Sequence, residues 1–326
     1  MPRYPLLTDV LAARRRLAGV ALETPLEPSA QLADASGAAE VRLKLESFQP
    51  TGSFKTRGAH NKVALVVSER KSAETRLVTA SSGNHGIAVA AAAARFGVPV
   101  TILVGGNVSP SKLAILRALE SDHCAVEIHG RDTDDAEPEA RRREDVGAAI
   151  YVAPYNDPDV VAGQATVGVE IVETWPECDA VVVPVGGGGL IAGIGLWVKA
   201  VRPDLRLVGV QPSASPPMYA YLQTGSMKPM PIAPTLADGV AGNVERNSIT
   251  WRMCRQLVDE MVIVDEEQIA TAIRWSLEVP HLLLEGSAGL GVAALLARSG
   301  GLEGRRVAVV ATGRNMDPEA LRSVLC

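Results

Sequence analysis

Aromatic side chains are scarce in this sequence: three phenylalanines, four tryptophans and five tyrosines among 326 residues. An interior built largely without them relies on Ala, Val, Leu and Gly, a mixture suited to helices packed closely on parallel strands. Cysteine is also sparse. Cys124, Cys178, Cys254 and Cys326 stand far apart, no pair has metal-ligand spacing, and no secretory leader precedes them, so a reduced, cytoplasmic compartment is expected. No segment approaches the ~20 consecutive apolar residues of a membrane span, which excludes the membrane as a partner. Positive charge is not in excess either: 32 Lys and Arg against 37 Asp and Glu give a net charge of −5, which leaves no electrostatic footprint for nucleic acid. The one basic cluster, Arg141 to Arg143, is flanked by Glu139, Glu144 and Asp145 and reads as a solvated helix face.

What the sequence does contain is alternation. Short β-branched runs at 41–46, 76–81, 100–105, 150–154, 180–186, 206–212, 261–265 and 306–313 read as strands. Helical patterns lie between them at 84–97, 112–121, 160–175 and 268–280. This order predicts an α/β fold of βαβ units in two lobes, each an open, mostly parallel sheet flanked by helices. Residues 1–73 and 153–326 are expected to form the larger lobe, and 74–152 a smaller inserted one. The proline-rich stretch 212–235 reads as a loop on the surface or over a cleft.

Three turns sit where a strand ends and a helix begins, the place where ligands bind in open α/β sheets. In TASSGNHG (79–86), Ser81, Ser82, Gly83 and Asn84 could present backbone amides to an anion, or could serve as an ordinary N-cap. In VPVGGGGLIAG (183–193), the run Gly186 to Gly189 lets the backbone wrap a phosphate. It is neither a dinucleotide fingerprint nor a P-loop, so a single phosphate without a nucleotide is the reading, which counts against a nicotinamide dehydrogenase. In VVATGRNMD (309–317), Thr312 could face a ring nitrogen or cap the next helix. Lys55, in ESFQPTGSFKTRGA (46–59), follows a Pro-Thr-Gly turn at what reads as a first helical turn. A lysine so placed suits covalent capture of an aldehyde, the anchoring mode of pyridoxal phosphate, which has one phosphate, one aldehyde and one ring nitrogen. A phosphate-sensing module without catalysis is the alternative from another class.

With GSFKTRGA, SSGNHG, VGGGGLIAG and TGRN in this order, the sequence resembles the serine/threonine dehydratase and serine racemase family, pyridoxal phosphate enzymes of the fold-type II (tryptophan synthase β) group. The resemblance runs over essentially the whole chain and includes 157–171, LADGVAG (236–242) and LLLEGSAGLGVAA (282–294). It implies a cofactor in the cleft between the lobes and a homodimer. Lys55 is then the Schiff-base lysine and the base for the substrate α-proton, and Phe54 packs near the ring. Gly186, Gly187, Gly188 and Gly189, with the amide of Leu190, hold the phosphate. Asn84 bonds the ring hydroxyl, Thr312 stands in for the family's serine beside the pyridine nitrogen, and backbone groups of Ser81, Ser82, Gly83, Asn84 and His85 bind the substrate carboxylate.

The implied activity is an ammonia-lyase (dehydratase) reaction that converts L-threonine, L-serine or a related β-hydroxy amino acid to a 2-oxo acid and ammonia by β-elimination. Ser82 stands where racemase-like members carry a second proton-transfer group, so an amino-acid racemase with side elimination activity is the alternative; a hydroxyectoine-utilisation dehydratase is another. Members that bind a divalent metal carry Glu at the position of Gln211 and a further acid near Pro217, so no metal is expected there. No regulatory domain is expected beyond Cys326. The reading gives no role to His60.

Overall fold

The computed structural model describes residues 3–69, 75–131 and 133–326. The chain begins with helix α1 (Leu7–Leu17), edge strand β1 (Leu26–Pro28), helix α2 (Ala30–Ser36) and strand β2 (Glu40–Lys44), followed by helix α3 (Lys55–Ser68). A run of strand–helix units comes next: β3 (Leu77–Ala80), α4 (Asn84–Phe96), β4 (Val100–Val104), α5 (Pro110–Arg117), β5 (Cys124–Ile128), α6 (Thr133–Asp145) and β6 (Ile150–Tyr151). Then come α7 (Pro158–Thr174), β7 (Ala180–Pro184), α8 (Gly189–Val201), β8 (Arg206–Pro212), α9 (Pro217–Thr224), α10 (Ile249–Leu257) and β9 (Glu260–Val264). The chain closes with α11 (Glu266–Glu278), α12 (Gly286–Leu296), β10 (Arg306–Val310) and α13 (Pro318–Leu325).

The strands form two sheets, as the alternation predicts. One has the order β1-β2-β10-β7-β8-β9 and is parallel except for β1; the other, β5-β4-β3-β6, is wholly parallel. Strict alternation along the central strands gives the larger sheet two apolar faces. Val182, Val208, Val307 and Val309 face one core, while Val181, Val183, Ala308 and Val310 face the other. Each fully buried valine contributes roughly 1.5–3 kcal/mol by leaving water. The smaller sheet packs Leu77, Val100 and Ile102 against the alanine-rich α4, which lets helix and sheet approach closely. Among the described residues no helix is long and apolar enough to cross a membrane.

Several expectations need correction. The run 150–154 yields only two strand residues, Ile150 and Tyr151. Beyond them the carbonyl of Val152 accepts from the Thr79 hydroxyl and contacts the His85 ring rather than extending the ladder. The proline-rich 212–235 is not loop throughout. Pro217 opens α9, which buries Met218 and Tyr221 in the core beside α8. Arg141 to Arg143 are not a uniformly solvated face either. Arg142 stays exposed beside Glu139, but Arg141 lies over the Tyr151 ring and reaches Glu245 at 2.6 Å. The expected boundary at 73/74 falls outside the described residues.

Helix α3 is pinned by a buried ion cluster. Arg57, 1% exposed, donates to Glu46 at 2.8 Å through both Nε and Nη2, and to Glu170 at 2.5 and 2.8 Å. Lys44 completes the cluster with Glu170 at 2.5 Å. Burial alone would raise the Glu46 carboxyl, but the guanidinium overrides it and holds the group below its ordinary range. The cluster joins β2, α3 and α7, and so fixes the helix whose first residue is Lys55.

Candidate active site

The turns after β3, β7 and β10 converge with the start of α3 on a cavity of about 310 Å³. Every residue the sequence assigns to the cofactor or the substrate lines it: Phe54 and Lys55, Ser81 to His85, Gly186 to Leu190, and Thr312. Residues separated by more than 250 positions meet because β10 inserts between β2 and β7 in the larger sheet.

Lys55 occupies the first position of α3, as its turn predicts. Its Nζ donates to the carbonyl oxygen of Pro154 at 2.8 Å and lies 5.3 Å from the Phe54 ring centroid. Burial lowers its pKa to about 8, with the charge of Glu285 offsetting part of the effect. A lysine in that range holds a useful fraction of free amine near neutrality, as nucleophile or base.

The glycine turn is shaped by close approach. Gly188, the N-cap of α8, has φ +85°, a left-handed conformation that glycine adopts without strain. A Cβ at Gly187 would overlap the ring of Tyr155. The first-turn amides of α8, from Gly189 to Ile191, have no intrahelical acceptor and carry the positive end of the helix dipole. Tyr155 itself accepts the Glu245 N–H at 2.9 Å through its hydroxyl.

The turn after β3 is not capped by side chains. Its N-cap is Gly83, with no side-chain cap bond, and Ser81 Oγ accepts only the Gly83 amide, at 3.3 Å. The N-terminal amides of α4 therefore remain open to an anion. Asn84 Nδ2 donates to Glu285 Oε1 and Oε2 at 2.7 and 3.0 Å, and Asn84 Oδ1 accepts from Asn315 Nδ2 at 2.7 Å. His85 is buried, and burial together with the nearby Lys55 charge pushes its pKa down to about 3, so it is a neutral ring. Thr312 is buried and caps no helix, since α13 starts at Pro318 behind the Asp317 cap.

Sequence reasoning missed Glu285, Tyr155, Asp238 and the Pro154 carbonyl, all in this cavity. For Glu285 a signal existed: an acid set between three leucines and a run of small residues has little chance of solvation. Gln211 is fully buried, with Oε1 accepting the Tyr219 N–H at 2.8 Å. Among the described residues no group of acidic, His and Cys side chains has metal-binding geometry. His60 is buried near Phe96, and desolvation takes its pKa down to about 4. It lies away from the cavity lining and packs as a neutral core residue.

A family model described as pyridoxal-phosphate dependent enzyme matches residues 18–313. The chain belongs to that family. It is 41% identical over 319 residues to the L-threonine ammonia-lyase of Thermotoga maritima, across 98% of this chain and 78% of that one. To the catabolic L-threonine dehydratase TdcB of Escherichia coli it is 33% identical over 316 residues, across 95% and 93%. Among solved structures it matches that of maize serine racemase with a TM-score of 0.89 at 29% identity, covering 99% and 97% of the two chains. The cavity suits a pyridoxal-phosphate dependent enzyme. It offers an amine of lowered basicity, two helix N-termini open to anions, and neutral amide and hydroxyl groups for a polar ring.

Proposed function

We propose that the protein is an ammonia-lyase that converts L-threonine or L-serine to the 2-oxo acid and ammonia by β-elimination. The observation that carries this reading is the Lys55 amine, its pKa lowered to about 8, opening into one cavity with both anion-receptive turns. Pyridoxal phosphate, when bound, supplies an electron sink for the carbon next to the amino group. The chain's own groups do the rest. Gly186 to Gly189 and the Leu190 amide would hold the phosphate, Asn84 and Thr312 would offer polar groups to the ring, and Phe54 would pack beside it. The amides of Ser81 to His85 bind the substrate carboxylate, and Lys55 Nζ takes the α-proton. The neutral Thr312 hydroxyl would not hold a cationic ring nitrogen as a carboxylate would, which suits a β-elimination in which the hydroxyl leaves with a proton as water.

A neutral substrate side chain is supported by the charges around the cavity. Its lining lysines among the described residues are Lys55 and Lys112; Lys112 is paired with Asp238, Glu137 is paired with Arg141, and Glu285 has no ion-pair partner. Among the described residues that line the cavity, a second carboxylate, as in a hydroxy-diacid, finds no lysine free of an acidic partner other than Lys55. Racemisation is the second reading, favoured by Ser82, a second proton carrier in the same cavity as Lys55.

The two-lobe division at 74–152 belongs to this reading and is supported by the separate four-stranded sheet. Exposed Leu6, Leu7 and Leu11 support a homodimer, and the unpaired buried thiols Cys124, Cys178 and Cys254 suit a reducing cytoplasm.

The test uses protein supplied with pyridoxal phosphate, reduced with borohydride and mapped by mass spectrometry. The adduct is expected on Lys55, with 2-oxo acid formed from L-threonine or L-serine; a colourless protein without an adduct would reject the reading. Ser82→Ala should abolish any change of chirality while sparing elimination.

A further inference from the structure

Glu285 is an acid in a place where an acid is costly. It is 6% exposed, and among the described residues no cation is hydrogen-bonded to it. An unpaired buried carboxylate is expensive to keep, so its presence calls for a reason other than stability. Its position is tightly set. It is the N-cap residue of α12, its N–H donates to Gly313 O at 3.1 Å, and a Cβ on Gly313 would overlap Oε1. Its carboxylate is occupied by both bonds from the Asn84 amide nitrogen. At the other end of that amide, Asn84 Oδ1 accepts from Asn315 Nδ2, which also donates to Thr51 O at 2.8 Å. The Asn84 carboxamide is therefore held from both sides, its nitrogen by Glu285 and its oxygen by Asn315.

We propose that Glu285 is a positioning residue whose carboxylate fixes the orientation in which the Asn84 carboxamide meets the cofactor. This rests on the ammonia-lyase reading, in which Asn84 faces the ring edge. When ionised, Glu285 accepts one amide hydrogen of Asn84, shared between its two oxygens, and so sets the direction of the other. Once protonated it brings an O–H of its own and accepts less strongly, so the Asn84 carboxamide is held less firmly in the orientation it offers the cavity. The charged groups acting on it are Asp238, Lys112 and Lys55, and Lys112 is itself paired with Asp238. Burial is the largest influence and moves its proton loss up to about 7, so the change falls in the neutral range.

The sign for stability follows. The folded chain holds this proton more tightly than the unfolded chain, whose carboxyl titrates near 4.5. The contribution is present below 4.5 and lost as pH rises through 7. Glu285→Gln has no proton to lose, so its melting temperature should gain on the wild type as pH goes from about 5 to about 8.

The experiment loads wild type, Glu285→Gln and Glu285→Asp with pyridoxal phosphate. Visible absorbance is followed against pH, with cofactor dissociation and melting temperature measured beside it. The wild-type spectrum should change with a midpoint near 7, and Glu285→Gln should lack that change and release cofactor about tenfold faster. Glu285→Asp should keep the change at a displaced midpoint, and it decides the matter if the glutamine variant does not fold. A Glu285→Gln protein with the wild-type transition and release rate overturns the proposal alone. A wild type that takes up no pyridoxal phosphate overturns the ammonia-lyase reading as well.

Discussion

The amine of Lys55 is held by the backbone carbonyl of Pro154, 2.8 Å away. A carbonyl accepts a hydrogen bond from either protonation state of the amine, so this contact orients Nζ without forcing it to stay charged. Because burial lowers proton loss to about 8, uptake of pyridoxal phosphate by the cofactor-free protein should accelerate about tenfold per pH unit below that value and level off above it. Stopped-flow absorbance reads this directly. Lys55→Arg should show neither the acceleration nor a covalent adduct.

Removing Arg57 should be costly. Arg57→Met leaves Glu46 without its hydrogen-bonded cation and Glu170 with only Lys44, and the expected loss is about 3–5 kcal/mol in urea unfolding. Arg57→Lys keeps the charge but not the fork and should fall between that variant and wild type. Since Glu46 is held below its ordinary 4.5, its contribution is present above that pH and disappears on acidification. The difference between Arg57→Met and wild type should therefore shrink in acid.

Gly188 tests the backbone of the glycine turn. An alanine there would have to adopt φ +85° and place its Cβ 2.9 Å from Met218 Cε and 3.1 Å from Cys254 Sγ. The strain amounts to about 1–3 kcal/mol. The expected result is a lower melting temperature together with faster release of the cofactor. A variant whose release rate is unchanged would mean the turn does not grip the phosphate.

Arg141 and Glu245 tie α6 to the segment before α10, and Asn156 joins them at 2.6 Å from Glu245. The pair is partly exposed, so its worth is modest, up to about 1 kcal/mol. Arg141→Ala should raise KM about two- to five-fold with little change in kcat. Added salt should bring wild type toward the variant, as expected for a screened ion pair.

The parts of the site legible in the sequence were those marked by unusual local composition. Lys55 stood out by its turn, and Gly186 to Gly189 by a run that few strands need at their ends. Ser81 to Asn84 were legible as a helix start but ambiguous between cap and anion site, because both use the same residue types; backbone geometry removes the cap. Glu285, Tyr155 and Arg141 were not legible in role, since each acts through a partner 90 or more positions away: Asn84 for the first and Glu245 for the other two. Arg57 sits inside the motif first noticed, yet its burial depends on β2 and α7. Helix α1 escaped notice because only Val10, Ala13 and Leu17 are buried on it, beneath a surface of arginines and leucines.

The strand that leads into Thr312, β10, comes after every other strand among the described residues and yet lies third in the larger sheet, between β2 and β7. A ribosome-bound chain lacking residues 306–310 would have the glycine nest beside an unfilled slot in its centre. The pocket's floor is therefore laid down by the strand that arrives after all its sheet neighbours, so the larger sheet closes around the nest only when β10 slots in.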